Sequence, residues 1–206
     1  MKKMNLLVCA GGLIAATSGL ASAGGILWDN GPMVTHPGAG SGGADVSMAS
    51  VNPNTAGSNV RSFAPDPNFR VADDFTVGAG GWLVNSIVSF GYQTNASVPT
   101  WTGANMNIWD GAPNAGGTIV ATSTSFTLEA TGIFRVFNGE ANLSNTARPV
   151  WGISFDFGGL NLAAGNYWMD WQVEGGASGW ANYVMDINPD NVNDPITRAG
   201  NGLQLT

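Results

Sequence analysis

Trp168, Asp170 and Gln172 alternate along one stretch of the chain, and their side-chain types suit them to hold a ligand. They occupy even positions within residues 165–175. The odd positions carry the apolar residues Tyr167, Met169, Trp171 and Val173. Since successive side chains of a β-strand point to opposite faces, the even set shares one face. The pattern predicts a solvent-facing polar surface that contains an aromatic platform.

A second alternating segment, residues 105–109, adds Asn107 and Trp109 to this outward set. Alternation along an earlier strand adds Gln93. An indole beside amides and a carboxylate can stack on a sugar ring and hydrogen-bond its hydroxyls. The candidate ligand-binding set is Gln93, Asn107, Trp109, Trp168, Asp170 and Gln172. The competing interpretation is that a loop or a second layer covers both indoles, because large aromatic side chains are seldom left bare.

Carboxylates near this set raise the question of a glycosidase. If residues 153–157 and 167–173 pair as an antiparallel hairpin, Asp156 faces Asp170 or Glu174, and two carboxylates can serve as acid and base. The alternative is that these carboxylates only solvate the surface and protect it against aggregation. Only the glycosidase interpretation requires the hairpin to form.

Other catalytic centres lack the necessary residues. His36 is the single histidine of the sequence, and no serine lies in a G-x-S-x-G elbow. A hydrolase triad is therefore not expected. Zinc is disfavoured as well, because its usual ligands are histidine nitrogen and cysteine sulfur. A protein without catalysis is therefore the first prediction, and the glycosidase stays open as an alternative.

One segment approaches the spacing of a calcium loop. Oxygen-bearing residues stand at its positions one, three, five and nine, namely Asp186, Asn188, Asp190 and Asp194. Position six is Asn191 in place of the usual glycine, and position twelve is Thr197 in place of the bidentate glutamate. Two interpretations stay open, an irregular calcium site and an ordinary Asx and proline turn. Calcium is the one cofactor that the sequence suggests.

Residues 1–23 have the layout of a secretory signal. Lys2 and Lys3 precede an apolar run, and Ala21-Ser22-Ala23 forms a small-residue cleavage site. The apolar run is too short for a comfortable membrane span, and no later segment is suitable. We expect cleavage after Ala23 and a mature chain that is secreted or displayed at the cell surface, without a membrane span.

Cleavage would change the composition of the chain. Removing 23 of 206 residues leaves 183, which suits one domain with a sizeable core. The only cysteine, Cys9, and both lysines leave with the signal, so five arginines face fourteen carboxylates, and 5 minus 14 gives a formal net charge of −9. Nucleic acids and anionic membranes require basic patches, so these partners are not expected. Neutral glycans or extracellular polysaccharides, and divalent cations, fit better; the oligomeric state is not indicated.

The remaining sequence predicts an all-β fold, an antiparallel β-sandwich that is jelly-roll-like. Glycine, asparagine, serine and threonine are abundant, and no helical periodicity follows the signal. About nine short strands are expected, at residues 26–28, 69–77, 82–94, 105–109, 117–122, 126–137, 153–157, 167–173 and 180–185. Residues 24–69 form one strand and a Gly/Ser/Asn-rich loop segment of the same domain, and residues 70–206 form the main sandwich. Odd residues of the hairpin face inward, as do Val84, Val88, Phe90 and Tyr92.

Four segments carry a family resemblance: VADDFTV, GWLVNSIVSFGYQT, NIWDGAPNAGGTIV and LAAGNYWMDWQVEGG. Together they resemble bacterial exported β-sandwich proteins of the PEP-CTERM-sorted type, the exosortase substrates. The resemblance covers roughly residues 70–185 and implies a sandwich fold and an envelope location, with no catalytic residue. This chain ends at Thr206 without the carboxy-terminal anchor. We expect either a released member of the group or a chain truncated at its carboxy terminus.

Three functions follow from the sequence, in this order. The first is an exported cell-envelope or extracellular-matrix protein with a structural or adhesive role and no catalysis. The alternative is a carbohydrate-binding module that uses the exposed aromatic and polar sheet face. The second alternative is a glycoside hydrolase-like enzyme. Exposure of Trp109 and Trp168 on one sheet separates the first two.

Overall fold

The computed structural model describes residues 25–30, 33–48, 58–62, 69–136, 142–175, 183–184 and 202–205. A 3₁₀ turn lies at Ser41–Gly43. The strands are β1 (Val46–Met48), β2 (Ser58–Asn59), β3 (Arg61–Ser62), β4 (Arg70–Val77), β5 (Trp82–Tyr92), β6 (Trp101–Trp109), β7 (Ile119–Ser123), β8 (Phe126–Val136), β9 (Pro149–Leu162), β10 (Gly165–Gly175), β11 (Tyr183–Val184) and β12 (Leu203–Leu205). None of the described residues form a helix of the length and hydropathy that a membrane span requires.

The strands form two sheets that pack face to face. Sheet 1 has the order β1-β8-β9-β5-β11-β2, and sheet 2 has the order β12-β4-β10-β6-β7, with β3 also paired to β10. All neighbouring strands are antiparallel except the β1–β8 and β3–β10 pairs. The predicted all-β antiparallel sandwich is confirmed.

The number of strands differs from the prediction of about nine. In the described part of the chain, the seven strands β4 to β10 have five or more residues, and the other five strands have two or three. No strand forms at residues 26–28, and only Tyr183–Val184 of the predicted strand 180–185 lies among the described residues.

The strands on either side of two sheet-crossing connections give the sandwich its jelly-roll-like character. The chain passes from sheet 2 to sheet 1 between β4 and β5, and from sheet 1 to sheet 2 between β9 and β10. It also changes sheet between β5 and β6 and between β7 and β8. In sheet 2, β4 pairs with β10, and in sheet 1, β5 pairs with β9. Two ribbons of the chain therefore pair with each other in both layers, as in a rolled antiparallel ribbon.

The predicted hairpin between residues 153–157 and 167–173 is wrong. These residues belong to β9 and β10, which lie in different sheets. Gly158 and Gly159, with φ of 60° and 94°, do not end the first strand. They form a bulge inside β9, because Ser86 lies opposite Asp156 while Val84 lies opposite Leu160. The strand continues to Leu162, and two residues then carry the chain across to the other sheet.

The core lies between the two sheets, and the predicted facing of β9 and β10 is confirmed there. Ile153 and Phe155 of β9 are fully buried, and Trp171 of β10 is 3% exposed. The rings of Phe155 and Trp171 meet edge to face, with centroids 6.3 Å apart and planes at 60°. An aromatic contact of this geometry stabilises the fold by about 0.5 to 1.5 kcal/mol beyond the burial of area.

The predicted facing of β5 is wrong after Val84. The bulge lies between Val84 and Ser86, and one extra residue reverses the parity that follows. Ile87 and Gly91 therefore face the core. Val88, Phe90 and Tyr92 lie on the outer face of sheet 1. These three side chains are nevertheless buried, at 1% exposure or less, so the outer face of sheet 1 is covered at this place.

The amino-terminal segment at residues 25–30 packs against the sandwich. Trp28 contacts Phe75 of β4, with ring centroids 6.2 Å apart. Asn30 Nδ2 donates a hydrogen bond to Oδ2 of the buried Asp73 at 2.5 Å. The segment is thus attached to β4 by one aromatic contact and one charge-assisted hydrogen bond.

Candidate functional site

The outer face of sheet 2 collects most of the residues that the sequence singled out. In an antiparallel ladder, residues directly opposite each other share a face. Trp168 of β10 lies opposite Asp74 of β4 on one side and Trp109 of β6 on the other. Asp170 lies opposite Asn107, and Gln172 lies opposite Asn105. Five of the six predicted residues therefore stand on one surface.

Trp109 and Trp168 are direct cross-strand neighbours on this face. Such pairs have Cβ atoms about 4.5 to 5.5 Å apart. Both indoles are half-buried, and neither belongs to the core between the sheets. Other half-buried tryptophans of the chain, Trp28, Trp82 and Trp151, do pack against that core. The two predicted indoles thus form one aromatic patch that faces away from the sandwich interior.

Asp170 is not solvent-facing, which corrects the expectation from alternation. The residue is outward in direction but 0% exposed. Its Oδ1 accepts hydrogen bonds from Arg70 Nη2 at 2.6 Å and from Asn107 Nδ2 at 2.8 Å. The Arg70 side chain is 16% exposed, so this ion pair lies at the margin of the solvent. A carboxylate held by a guanidinium and an amide is an organised acceptor.

Gln172 is also buried, at 9% exposure, and belongs to the same network. Arg70 Nη1 donates to Gln172 Oε1 at 2.7 Å and to Asn105 Oδ1 at 2.6 Å. At the other end, Thr122 Oγ1 donates to Asn107 Oδ1 at 2.8 Å. The hydrogen bonds therefore cross four neighbouring strands, from β4 through β10 and β6 to β7. Such a network fixes the side chains of this face in one arrangement.

Three polar atoms of this face are buried without a hydrogen-bond partner: Asp170 Oδ2, Arg70 Nε and Trp109 Nε1. Buried polar groups in folded proteins are nearly always hydrogen-bonded. The face therefore offers one unused acceptor and two unused donors, a combination that suits hydroxyl groups, which both donate and accept.

Arg70 and Asn105 belong to the site, but the sequence prediction did not include them. Arg70 begins the FRVADDFTV strand, whose pairing partner β10 is about one hundred residues away in sequence. Parity alone places Arg70 and Asn105 on a face without saying which strand lies beside it. The available signal was charge, since Arg70 is one of only five arginines after residue 23.

Gln93 does not join this face. It follows β5, in sheet 1, and is 3% exposed. Its Oε1 accepts a hydrogen bond from the backbone N–H of Thr100 at 2.8 Å, and its Nε2 donates to Thr100 Oγ1 at 3.0 Å. Gln93 thus closes the connection between β5 and β6.

The predicted carboxylate pair of a glycosidase is not formed. Asp156 is an exposed residue of sheet 1, where its Oδ1 accepts a hydrogen bond from the backbone N–H of Gly158 at 2.9 Å. Asp170 and the exposed Glu174 are on β10 in sheet 2. Because β9 and β10 lie in different sheets, Asp156 cannot act together with either residue on one substrate.

The residues proposed for calcium, Asp186, Asn188, Asp190 and Asp194, lie outside the described residues. In the described part of the chain, no group of three or more His, Cys, Asp or Glu side chains is placed to hold a metal ion. The outer face of sheet 2 contains an amide-rich network with one ion pair, and its chemistry is that of hydrogen bonding and ring stacking.

Comparisons with protein-family models, curated proteins and solved structures found no match for the chain. The function is therefore argued from the arrangement of the outer face of sheet 2 itself. That arrangement joins a two-indole patch, at Trp109 and Trp168, to an ordered row of amides and one carboxylate. It can bind a flat, hydroxyl-bearing molecule.

Proposed function

We propose that this chain is an exported envelope or extracellular-matrix protein that adheres to neutral glycans through the outer face of sheet 2. The observation that carries the proposal is the Trp109–Trp168 pair, two half-buried indoles side by side on the face that points away from the core. Sugar rings present flat apolar C–H faces, and indoles supply a matching apolar surface with a polar N–H.

The polar neighbours of the indoles support the same function. Asp74 lies opposite Trp168 and is half-buried, and Asn107 is half-buried two positions from Trp109. Thr122, opposite Asn107, is exposed. Carboxylate, amide and hydroxyl groups around an aromatic patch can hydrogen-bond the ring hydroxyls. The face therefore offers both stacking and orientation.

Charge favours a neutral glycan over an acidic one. The sequence carries fourteen carboxylates against seven lysines and arginines, and Arg70 of this face is paired with Asp170. An acidic polysaccharide would be repelled over the whole surface. Since an open sheet face excludes little water, we expect dissociation constants of about micromolar to millimolar per site.

Export after cleavage at Ala23 and membership of the PEP-CTERM-sorted group are parts of this proposal. They are supported by Lys2, Lys3 and Ala21-Ser22-Ala23, and by the strand motifs between residues 70 and 185. A weakly binding sandwich displayed in many copies would hold a matrix together through avidity.

A purely structural role, without a small ligand, is the second candidate. It is favoured by the burial of Asp170 and Gln172, whose hydrogen bonds are made within the sheet. In that case the network and the indoles only stabilise sheet 2.

A glycan array probed with the processed chain, which starts at Gly24, separates the two candidates. We expect weak signals on neutral glycans and none on acidic ones, with and without added calcium. Trp168→Ala should remove these signals and leave the fold intact. Trp82→Ala is the matched control, because it removes another half-buried indole that packs on the core, and it should lower stability and keep binding. Loss of folding in Trp168→Ala, or an array without signals, would favour the structural role.

A further inference from the structure

We infer that Oδ2 of Asp170 is the acceptor that selects a free, donating hydroxyl group on the bound glycan. This inference rests on the proposed glycan binding and assigns its specificity to one atom. It also makes Arg70 a positioning residue, which orients the carboxylate without needing to touch the ligand.

The carboxylate of Asp170 is hydrogen-bonded on one side only. Arg70 Nη2 and Asn107 Nδ2 both donate to Oδ1, at 2.6 and 2.8 Å. Oδ2 has no hydrogen-bond partner, although it is buried and the whole residue is 0% exposed. An ionised carboxylate has about four lone-pair sites, and a buried oxygen left without a hydrogen bond is destabilising. The fold thus fixes the carboxylate and leaves one strong acceptor unused.

The unused oxygen belongs to the same surface as the indoles. Asp170 is two residues from Trp168 on β10, and by the strand register it is diagonal to Trp109 on β6. Diagonal neighbours on one face are about 7 to 8 Å apart. Asn107 and Trp168 beside it are half-buried. Oδ2 itself is closed to solvent, so a ligand hydroxyl reaches it only when one of the neighbouring side chains shifts. A ring stacked on the indoles would carry its hydroxyls toward Asp170.

The chemistry of the acceptor determines what it selects. A carboxylate oxygen accepts hydrogen bonds and cannot donate, so it requires a hydroxyl or amide N–H on the ligand. An O-methyl ether at the same position has no hydrogen to donate, and a uronic acid brings a second negative charge. Trp109 Nε1, which is also buried without a partner, is a donor that the same or the neighbouring hydroxyl can satisfy. Two adjacent hydroxyls, as in a hexopyranose, match this acceptor and donor.

Asp170→Asn is the informative substitution. Its amide oxygen can keep the place of Oδ1 against Arg70 and Asn107, and its Nδ2 then replaces Oδ2. The acceptor becomes a donor with little change of shape. The test uses the strongest neutral oligosaccharide from a glycan array and its singly O-methylated derivatives, titrated calorimetrically into the processed protein.

We expect one O-methyl derivative to bind the wild type about 10- to 100-fold more weakly than the parent oligosaccharide, because one charge-assisted hydrogen bond is lost. Asp170→Asn should bind the parent weakly and no longer discriminate against that derivative, since an ether oxygen can accept from the amide. Asp156→Asn, an exposed carboxylate of sheet 1, is the control and should behave as the wild type.

Each other outcome is decisive. A flat response to methylation in the wild type would overturn the inference even if Asp170→Asn failed to fold. If a folded Asp170→Asn protein still binds the parent oligosaccharide more tightly than the O-methyl derivative, the inference is overturned too. In that case, loss of binding in Trp168→Ala would still support the proposed glycan binding. If the wild type binds no neutral glycan, the proposed function and the inference fall together.

Discussion

Gly91 of β5 lies against Trp171 of β10, across the space between the two sheets. A Cβ atom at Gly91 would stand 3.4 Å from Cη2 of Trp171 and 3.3 Å from Cη2 of Trp101. The 3.3 Å distance is shorter than ordinary Cβ contacts and the 3.4 Å distance is at their lower limit, so the two indoles fill the space where a side chain would otherwise be. The absence of a side chain at Gly91 is thus a packing requirement of the core.

Gly91→Val should therefore destabilise the protein. Overpacking of a dense core costs about 1 to 3 kcal/mol, because the side chains or the backbone must shift. Gly78→Val is the matched control, since Gly78 is exposed and a Cβ there meets nothing within 4 Å. Urea denaturation followed by tryptophan fluorescence measures both variants. Equal stability of the two proteins would show that the sheets do not meet at Gly91.

Trp171 and Trp168 differ in facing, which gives a second prediction. Trp171→Ala removes a core side chain that is 3% exposed and should cost about 3 to 5 kcal/mol. Trp168→Ala removes an outward indole that does not pack on the core, and it should cost about 1 kcal/mol or less. Thermal melts of the two variants compare them directly, and similar losses would contradict the assigned facing.

Alternation in the sequence was enough to predict the facing of β9 and β10. Ile153, Phe155, Met169 and Trp171 are all buried between the sheets as expected. The reason is local, since a period of two needs only that one face be apolar. The outward facing of Trp109 and Trp168 followed from the same rule.

The partners of each strand were not predictable in this way. Gly158 and Gly159 have the composition of a turn, yet they form a bulge, and β9 continues past them. Local propensity cannot distinguish a glycine turn from a glycine bulge, because both need positive φ. The bulge beside Asn85 likewise reversed the facing of Phe90 and Tyr92. The error at Asp170 has a different cause, because its partner Arg70 is one hundred residues earlier in the sequence.

Asp170 should be important for stability in spite of its outward direction. From alternation alone, Asp170→Ala is expected to lower the free energy of unfolding by under about 1 kcal/mol, as at an ordinary surface position. Burial and the Arg70 ion pair raise the expected loss to about 2 to 3 kcal/mol, since the guanidinium loses its charged partner and keeps only neutral ones.

A double-mutant cycle with Arg70→Ala and Asp170→Ala measures the interaction itself. We expect a coupling free energy of about 1 to 2 kcal/mol by urea denaturation. The coupling should change little between low and high salt, because the pair is mostly buried, with Asp170 1% and Arg70 16% exposed, and such pairs are screened less than exposed ones. Asp156→Ala, at an exposed carboxylate, is the control. Additive effects at Arg70 and Asp170 would show that the two side chains do not interact in solution.

The pairing of β4 with β10, in place of a β9–β10 hairpin, can be tested by a disulfide. Thr76 and Asn166 are opposite each other at the exposed end of this ladder, and Thr76 Oγ1 donates to Asn166 Oδ1 at 2.9 Å. The chain from Gly24 onward has no cysteine, so an introduced pair has no competing partner. Thr76→Cys with Asn166→Cys should oxidise spontaneously, because side chains of opposite residues are within reach of a disulfide.

Asp156→Cys with Trp168→Cys is the matched control, since the hairpin would place these two residues opposite each other. In the sandwich they lie in different sheets and point to opposite sides of the molecule. Intact mass before and after reduction gives the result, with a loss of about 2 Da on disulfide formation. We expect this loss for the Thr76 and Asn166 pair alone. Crosslinking of the Asp156 and Trp168 pair within one molecule would instead support the hairpin, and it would contradict the placement of Trp168 beside Trp109.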